Sequence, residues 1–439
     1  MVTVLSLTES LKQHAGEFVF NPAIVQLKDN LYLVSYRAFR RYGPEVEFNH
    51  NIEGTTDSAS IGIFTPTHPW AGGPKYGTRG TQWTYTSRGF DGTRFAFLDY
   101  RSDIPHTIDV PVLLPGVDAR LVDLTPPALT DGTQRQLLIT YNVGVDPTSD
   151  PRIRVCPTKR YAQIMAAMSI TVDMINLTLT FNQDPADSAG NLFCQEISGC
   201  TEKNWSFWAE WHGDVPRLRF AYHIAPMHQI YTLTGSRCED GYSLTQAPSK
   251  LLVEFLALYN DLFFISLSTP PHKMPGSPLL CGVGHIKILW EPAYARIMNK
   301  TVDPNLPMWK HLATVLPNAP RLHFTFVYMM FIYFFDPATA TIWAVSDMFT
   351  IDNSPLVFPV GLTVATDGAL GITYGDMDED TLVAEIPYTV WGSLMHDVNS
   401  ADPMDESVDI APRIRFVNLP ITRRLSATRS AHREPVVIL

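Results

Sequence analysis

Short runs of alternating or continuous apolar residues, cut by Gly, Pro, Asn and Asp, recur along most of the chain, while sustained helical periodicity is scarce. Alternate side chains of an extended chain share a face, so these runs predict strands. The clearest pairs span residues 23–37 turning at Asp29-Asn30, 118–141 turning at Asp131-Gly132, and 207–223 turning at Gly213-Asp214. Three more span 251–268 turning at Asn260-Asp261, 324–345 turning at Asp336-Pro337, and 362–374 turning at Asp367-Gly368. The pattern is all-β.

Most of these pairs repeat one plan: a polar start, an apolar strand, a tight turn and a second strand. Four close on Tyr36-Arg37, Tyr141-Asn142, Tyr222-His223 or Tyr374-Gly375. Repetition of one β unit predicts a propeller, whose innermost strand starts converge on one funnel; a β-sandwich is the alternative architecture. The expected division is a propeller over residues 1–395 and an extension over 396–439. An insertion at about 43–110, rich in Gly, Thr, Pro and aromatics including Trp70 and Trp83, is expected to hold loops and an overhanging hairpin. Residues 155–177 are expected to hold one short helix, because 160–168 are good helix formers. The tail turns from acidic to basic and is expected to be a surface extension without chemistry.

The 439 residues are 45% hydrophobic and 11% aromatic, enough for a large core. A formal charge of -11 argues against nucleic acid as a partner, because affinity for phosphate backbones comes from clustered Lys and Arg. The five cysteines are odd in number and lack CxxC spacing, so free buried thiols are expected and neither a disulfide framework nor a metal site is. The first sixteen residues lack the apolar run of a secretory signal, which predicts a cytoplasmic chain. Three sequons, at Asn176, Asn204 and Asn299, are set aside on that basis. The apolar run 324–335 is shorter than the roughly 20 residues that cross a bilayer, so no membrane span is expected.

Chemistry concentrates first in Gly116-Val117-Asp118-Ala119-Arg120-Leu121. At i and i+2 of a strand, Asp118 and Arg120 are expected on one face, a proton-handling carboxylate beside an anion-binding guanidinium. A structural ion pair at the hairpin mouth is the other outcome of that spacing. Lys203 pairs with Glu202 or Asp240 at a surface, or serves a site, and the apolar Trp205-Ser206-Phe207-Trp208 after it favours the site. His285 lies in an apolar strand and reads equally as a core histidine or a ligand-binding one. Trp205, Trp208 and Trp211 are mainly packing residues, with one candidate for stacking on a sugar ring.

The motifs resemble those of the inverting β-mannoside phosphorylases and hydrolases and the related β-1,2-mannosyltransferases. Phe20-Asn21-Pro22-Ala23 followed by Tyr36-Arg37 resembles the first blade of that family, and Val117-Asp118-Ala119-Arg120 its Glu-Asp-x-Arg signature. Glu202-Lys203-Asn204-Trp205 is similar to its third-blade motif. Gly276-Ser277-Pro278 leading to Gly282-Val283-Gly284-His285 is similar to the fourth, and Phe358-Pro359-Val360-Gly361 through Tyr374-Gly375 to the last. The resemblance implies a five-bladed β-propeller with long loop insertions, and Asp118 as proton donor acting through a sugar hydroxyl. Val117 stands where the family usually has Glu, which removes one carboxylate.

Inverting displacement at an anomeric carbon needs an acid on the leaving-group side and a nucleophile on the opposite face. Water as nucleophile needs a carboxylate base, whereas phosphate needs cations. Candidate cations are Arg37, Arg40, Arg120, Lys203 and Lys287, with His223 and His285 as hydrogen-bond donors; candidate bases are Glu202, Glu239, Asp347 and Asp376. The expected site is therefore Asp118 for catalysis, with Asn21, Arg37, Arg120, Lys203, His223, His285, Asp347 and Tyr333 binding substrate or phosphate. The expected function is phosphorolysis of β-mannosides or related glycosides, or glycosyl transfer, with inversion. Hydrolysis and non-catalytic sugar binding are the alternatives. An oligosaccharide or sugar phosphate is the expected partner, inorganic phosphate a co-substrate, and no cofactor is expected.

Overall fold

Alternation in the sequence becomes alternation of burial: along Ala162–Asp173 buried and half-buried positions interleave over most of the strand. This strand covers residues 162–168 of the stretch expected to form a helix. The correction has a packing cause, because Ile164, Ala166, Met168, Ile170 and Val172 all enter one apolar cluster, which outweighs helix propensity. The computed structural model describes residues 2–40, 90–289, 326–397 and 414–426, apart from single residues and short turns inside those spans.

The strands form five sheets in chain order. Phe18–Lys28, Leu31–Arg40, Phe90–Asp99 and His106–Leu114 make the first sheet, an antiparallel meander. Val117–Asp123, Gln134–Val145, Ala162–Asp173 and Thr178–Phe181 make the second in the same way. The third runs through Ser206–His212, Val215–His223, Met227–Leu233 and Tyr242–Pro248. The fifth meander, Val357–Val364, Leu370–Asp376 and Asp380–Ile386, takes Val2–Ser6 as its fourth strand and adds Ile421–Ser426 in parallel.

Five hydrophobic clusters lie between successive sheets and join them into a closed, propeller-like cycle. Leu27, Leu33 and Phe97 meet Leu121 and Ile139 between the first and second sheets. Val122 and Met165 meet Trp205 and Phe220 between the second and third. Trp208 and Ile230 pack on Phe331 and Phe335 of the fourth, and Val283 and Ile332 pack on Leu362 and Ile372 of the fifth. Leu5 and Val383 then meet Ile24 and Val34, closing the cycle onto the first sheet.

Five equivalent blades were expected; four sheets are regular meanders and the fourth departs from the plan. It carries eight strands, with the path Phe263–Leu267, Leu280–Leu289, Phe326–Phe335, Ile342–Ser346 and Met395–Asp397, and with His272–Lys273, Met348–Ile351 and Phe416–Leu419 beside it. The hairpin expected at 251–268 is absent because Lys250–Ala257 is a helix whose Leu251, Leu252 and Phe255 plug the apolar cluster between the third and fourth sheets. Two other expectations change. Phe90–Asp99 and His106–Leu114, inside the expected insertion, are the outer strands of the first sheet, because Phe95 and Phe97 are needed in its core, while residues 41–89, which carry the rest of the expected loops and hairpin, lie outside the described residues. Phe416–Leu419 and Ile421–Ser426 of the tail are built into the fourth and fifth sheets.

The cysteines also differ from expectation. Cys156 is bonded to Cys200 and Cys194 to Cys238, pairs 44 residues apart that no short-range spacing rule reveals; Cys281 is buried and free. The first bond joins a loop of the second sheet to the segment that enters the third, and the second joins that segment to the turn between the last two strands of the third sheet. No helix among the described residues is long and apolar enough to cross a membrane.

Candidate active site

Three polar residues at strand starts share an unusual backbone. Asn21, Asp118 and Asn204 all have positive φ, at 51°, 55° and 65°. Asn and Asp tolerate this left-handed conformation better than other residues with a Cβ. In the first and second sheets it coincides with a register shift, between Phe20 and Ala23 and between Val117 and Arg120. Such bulges re-aim side chains next to functional sites. The bulge overturns the simple expectation that Asp118 and Arg120 pair through their side chains on one face.

Instead, the Asp118 carboxylate is held by neighbours from two sheets. Asn21 Nδ2 donates to its Oδ1 at 2.8 Å and Asn142 Nδ2 to its Oδ2 at 3.4 Å. The Arg37 guanidinium stands 4.0 Å from Oδ1 and packs over the Phe20 ring, and the Asp118 side chain keeps 14% exposure. Gly375 of the fifth sheet lies against Asn21, where a methyl group would collide with the Asn21 amide oxygen. The arrangement presents an oriented carboxylate, partly open to solvent, able to exchange a proton with a bound hydroxyl.

Arg120 sits behind this group and does not reach outward. It is fully buried, donating through Nη1 to the Asp118 carbonyl at 2.7 Å, through Nη2 to Asn204 Oδ1 at 2.9 Å, and through Nε to the Ser268 carbonyl. Burial pushes its pKa down to about 10, and the Asp118 charge opposes the shift, so the guanidinium stays charged at neutral pH. Expected to bind an anion, Arg120 instead ties the second sheet to the entry of the third and to the fourth. Ser268 Oγ in turn lies 2.6 Å from His285 Nδ1. His285 is a core residue, stacked at 5.5 Å on Tyr328 and packed on Phe358, so it supports the site from behind.

The other expected residues separate from this cluster. Tyr333 is buried among Phe331, Phe335 and His228, because Gly282 leaves room for its ring in the core. Asp347 is fully buried and spends its carboxylate on Arg415, at 2.7 and 3.1 Å, and on His396 at 2.6 Å. His223 is exposed at a strand end against the Tyr222 ring. Partial desolvation of the ring lowers its pKa, against the pull of Glu202. Lys203 and the side chain of Arg40 lie outside the described residues.

Among the candidate bases, Glu202 accepts from Gly199 N, Trp205 Nε1 and Tyr222 OH, Glu239 pairs with Arg154, and Asp376 accepts from Ser354. Lys287 stands over the Tyr328 ring. Trp205 stacks on Phe220 with centroids 5.0 Å apart, which makes it a packing residue. The residues of this cluster that were not among the expected site residues are Asn142, Asn204, Ser268 and Gly375. Asn142 and Gly375 are visible in the sequence as the recurrent Tyr-x strand ends, and Asn204 shares a motif with Lys203. A separate cavity of about 260 Å³, lined in part by Phe193, Gln195, Glu196 and Glu239, holds none of the residues around Asp118.

No protein-family model matches this sequence, and no curated protein sequence is similar to it. Among solved structures the chain is similar to MPT-1, a GDP-Man-dependent mannosyltransferase from Leishmania mexicana, with 12% identity, TM-score 0.43, and coverage of 88% of this chain and 89% of that one. It is similar to MPT-4, a mannose phosphorylase from the same organism, with 10% identity, TM-score 0.38, and 88% and 89% coverage. A β-1,2-mannobiose phosphorylase from Listeria innocua gives 11% identity, TM-score 0.41, and 85% and 90% coverage. Similarity this distant assigns no activity.

Proposed function

We propose that the protein is a five-bladed propeller enzyme, the eight-stranded sheet being its fourth blade, that acts on β-mannosides or related glycosides with inversion. Asp118 is the proton donor, and the reaction is phosphorolysis or glycosyl transfer. One observation carries this reading: Asp118 is a partly open carboxylate oriented by Asn21 of the first sheet and Asn142 of the second and backed by Arg120. The mannoside class rests on the motif resemblance in the sequence.

Asp118 protonates the leaving group through a sugar hydroxyl while the nucleophile enters from the opposite face. Inverting hydrolysis would need a second carboxylate to activate water. Glu202, Glu239, Asp347 and Asp376 are all engaged by other partners, which supports phosphate as the entering or leaving group. Arg37 is the cation nearest to the Asp118 carboxylate among the described residues.

A second reading, non-catalytic sugar binding, is favoured by Val117 in place of an acid and by the burial of Arg120. Incubation with mannose 1-phosphate and a mannose or mannoside acceptor, with phosphate release as readout, separates the two. Release by the protein and its loss in Asp118→Asn support the enzyme. Retained sugar binding without release, unchanged in Asp118→Asn, overturns it.

A further inference from the structure

Two features point the same way. The first is the state of the cysteines. Cys156–Cys200 and Cys194–Cys238 are both bonded, and the fifth thiol, Cys281, is enclosed in the core between the fourth and fifth sheets. Disulfides persist in oxidising compartments and are rare where thioredoxin and glutathione keep thiols reduced.

The second is the contrast between two sequons, the third, at Asn299, lying outside the described residues. Asn204, in Asn204-Trp205-Ser206, is 3% exposed and accepts from Arg120, and Ser206 is buried, so this triplet is closed to modification in the folded chain. Asn176-Leu177-Thr178 is the opposite. It forms the turn between Ala162–Asp173 and Thr178–Phe181, with Asn176 and Thr178 both exposed. The turn is held by Asp173, whose carboxylate accepts from the backbone N–H groups of Ile175 and Asn176 and from Asn176 Nδ2 at 2.8 Å. Ile175 beside it is 72% exposed, an apolar side chain that a carbohydrate would shelter. The sequon thus projects from an outer edge of the second sheet.

We propose that the protein matures in an oxidising, glycosylating compartment and that Asn176 carries an N-linked oligosaccharide there. In the modification, Asn176 Nδ2 attacks the anomeric carbon of an oligosaccharide carried on a lipid pyrophosphate. A C–N bond forms, the C–O bond to phosphate breaks, the lipid pyrophosphate leaves with the electron pair, and the amide loses one proton. Each disulfide forms by exchange with a disulfide-bearing oxidoreductase, which takes up the two electrons and two protons released by the thiols. This places the protein outside the cytoplasm that its N-terminal sequence predicts.

The test is peptide mapping by mass spectrometry of the full chain purified from its own cells and alkylated without reduction, before and after an amidase that removes N-glycans. The expected result is two linked peptides, Cys156 with Cys200 and Cys194 with Cys238, and a glycan on Asn176 that the amidase removes while converting Asn176 to aspartate. Asn204 stays bare. Thr178→Ala abolishes the modification while Asn176 remains, and leaves the activity at Asp118 unchanged. Alkylation of the four paired cysteines without reduction, or a bare Asn176 in the native protein, overturns the proposal. Neither outcome bears on catalysis by Asp118.

Discussion

Two aspartates with arginine neighbours serve opposite ends. Asp347, between Ile342–Ser346 and Met348–Ile351, is fully buried and compensated by a two-point bond to Arg415 together with His396. Asp118 is oriented mainly by two neutral amides, with its nearest guanidinium 4.0 Å away and part of its surface open. A buried carboxylate that is fully paired is a fastener, whereas one that is oriented but not neutralised stays available for proton transfer. The contrast also explains the unequal sheets: the fourth is irregular where Arg415 and Phe416–Leu419 are fastened onto it, and the second is bulged where Asp118 is aimed.

The sharpest way to break this comparison is Asp118→Asn, which removes the proton and keeps the shape. Phosphate release should fall by about 10³-fold with an unchanged melting temperature; a silent variant would end the catalytic assignment. Next, Gly375→Ala should displace Asn21 and misdirect Asp118, lowering turnover by about 10²-fold while stability falls far less. Arg415→Ala should do the reverse. It leaves Asp347 buried with half its compensation, so denaturant unfolding should show a loss of about 3 kcal/mol, at the lower end for a broken buried pair because Arg415 itself is largely exposed. Activity of the folded fraction should persist.

The smallest effect is on acid stability. Burial acts to raise the Asp347 pKa, but His396 and Arg415 outweigh it and hold the group below the usual carboxylate range. Its contribution is therefore complete above the ordinary value near 4 and is lost as pH falls through the folded one. His228 adds to this from the other side: burial pushes it down to about 4, with the Ala340 carbonyl offsetting part. An unfolded chain takes up that proton below about 6.5, so stability should decline from there towards pH 4, by roughly 1–3 kcal/mol in thermal melts. His228→Gln should flatten that part of the curve.

Five of the six hairpins were legible because their turn residues and alternation are local signals; Gly132, Gly213 and Gly368 all adopt the positive φ that their turns require. Residues 251–257 were misread because a short apolar stretch has no period long enough to tell helix from strand. The cysteine pairs, the Asp347–Arg415 bond and the pairing of Ile421–Ser426 with Val2–Ser6 join residues far apart in sequence, and no local pattern encodes them. At the site, Asn21 and Asp118 were legible from motifs. The outward role given to Arg120 was wrong because a two-residue offset holds only in an unbroken strand, and the bulge at Asp118 breaks it.

The pairing of Val2–Ser6 with Asp380–Ile386 sets an order on synthesis. Val2–Ser6 is made long before its antiparallel neighbour, so a nascent chain carries Val2 and Val4 without their native cover until Asp380–Ile386 has emerged. Ring closure becomes a late event of high contact order, and the unsealed intermediate is the form in which chaperones and aggregation compete for the chain.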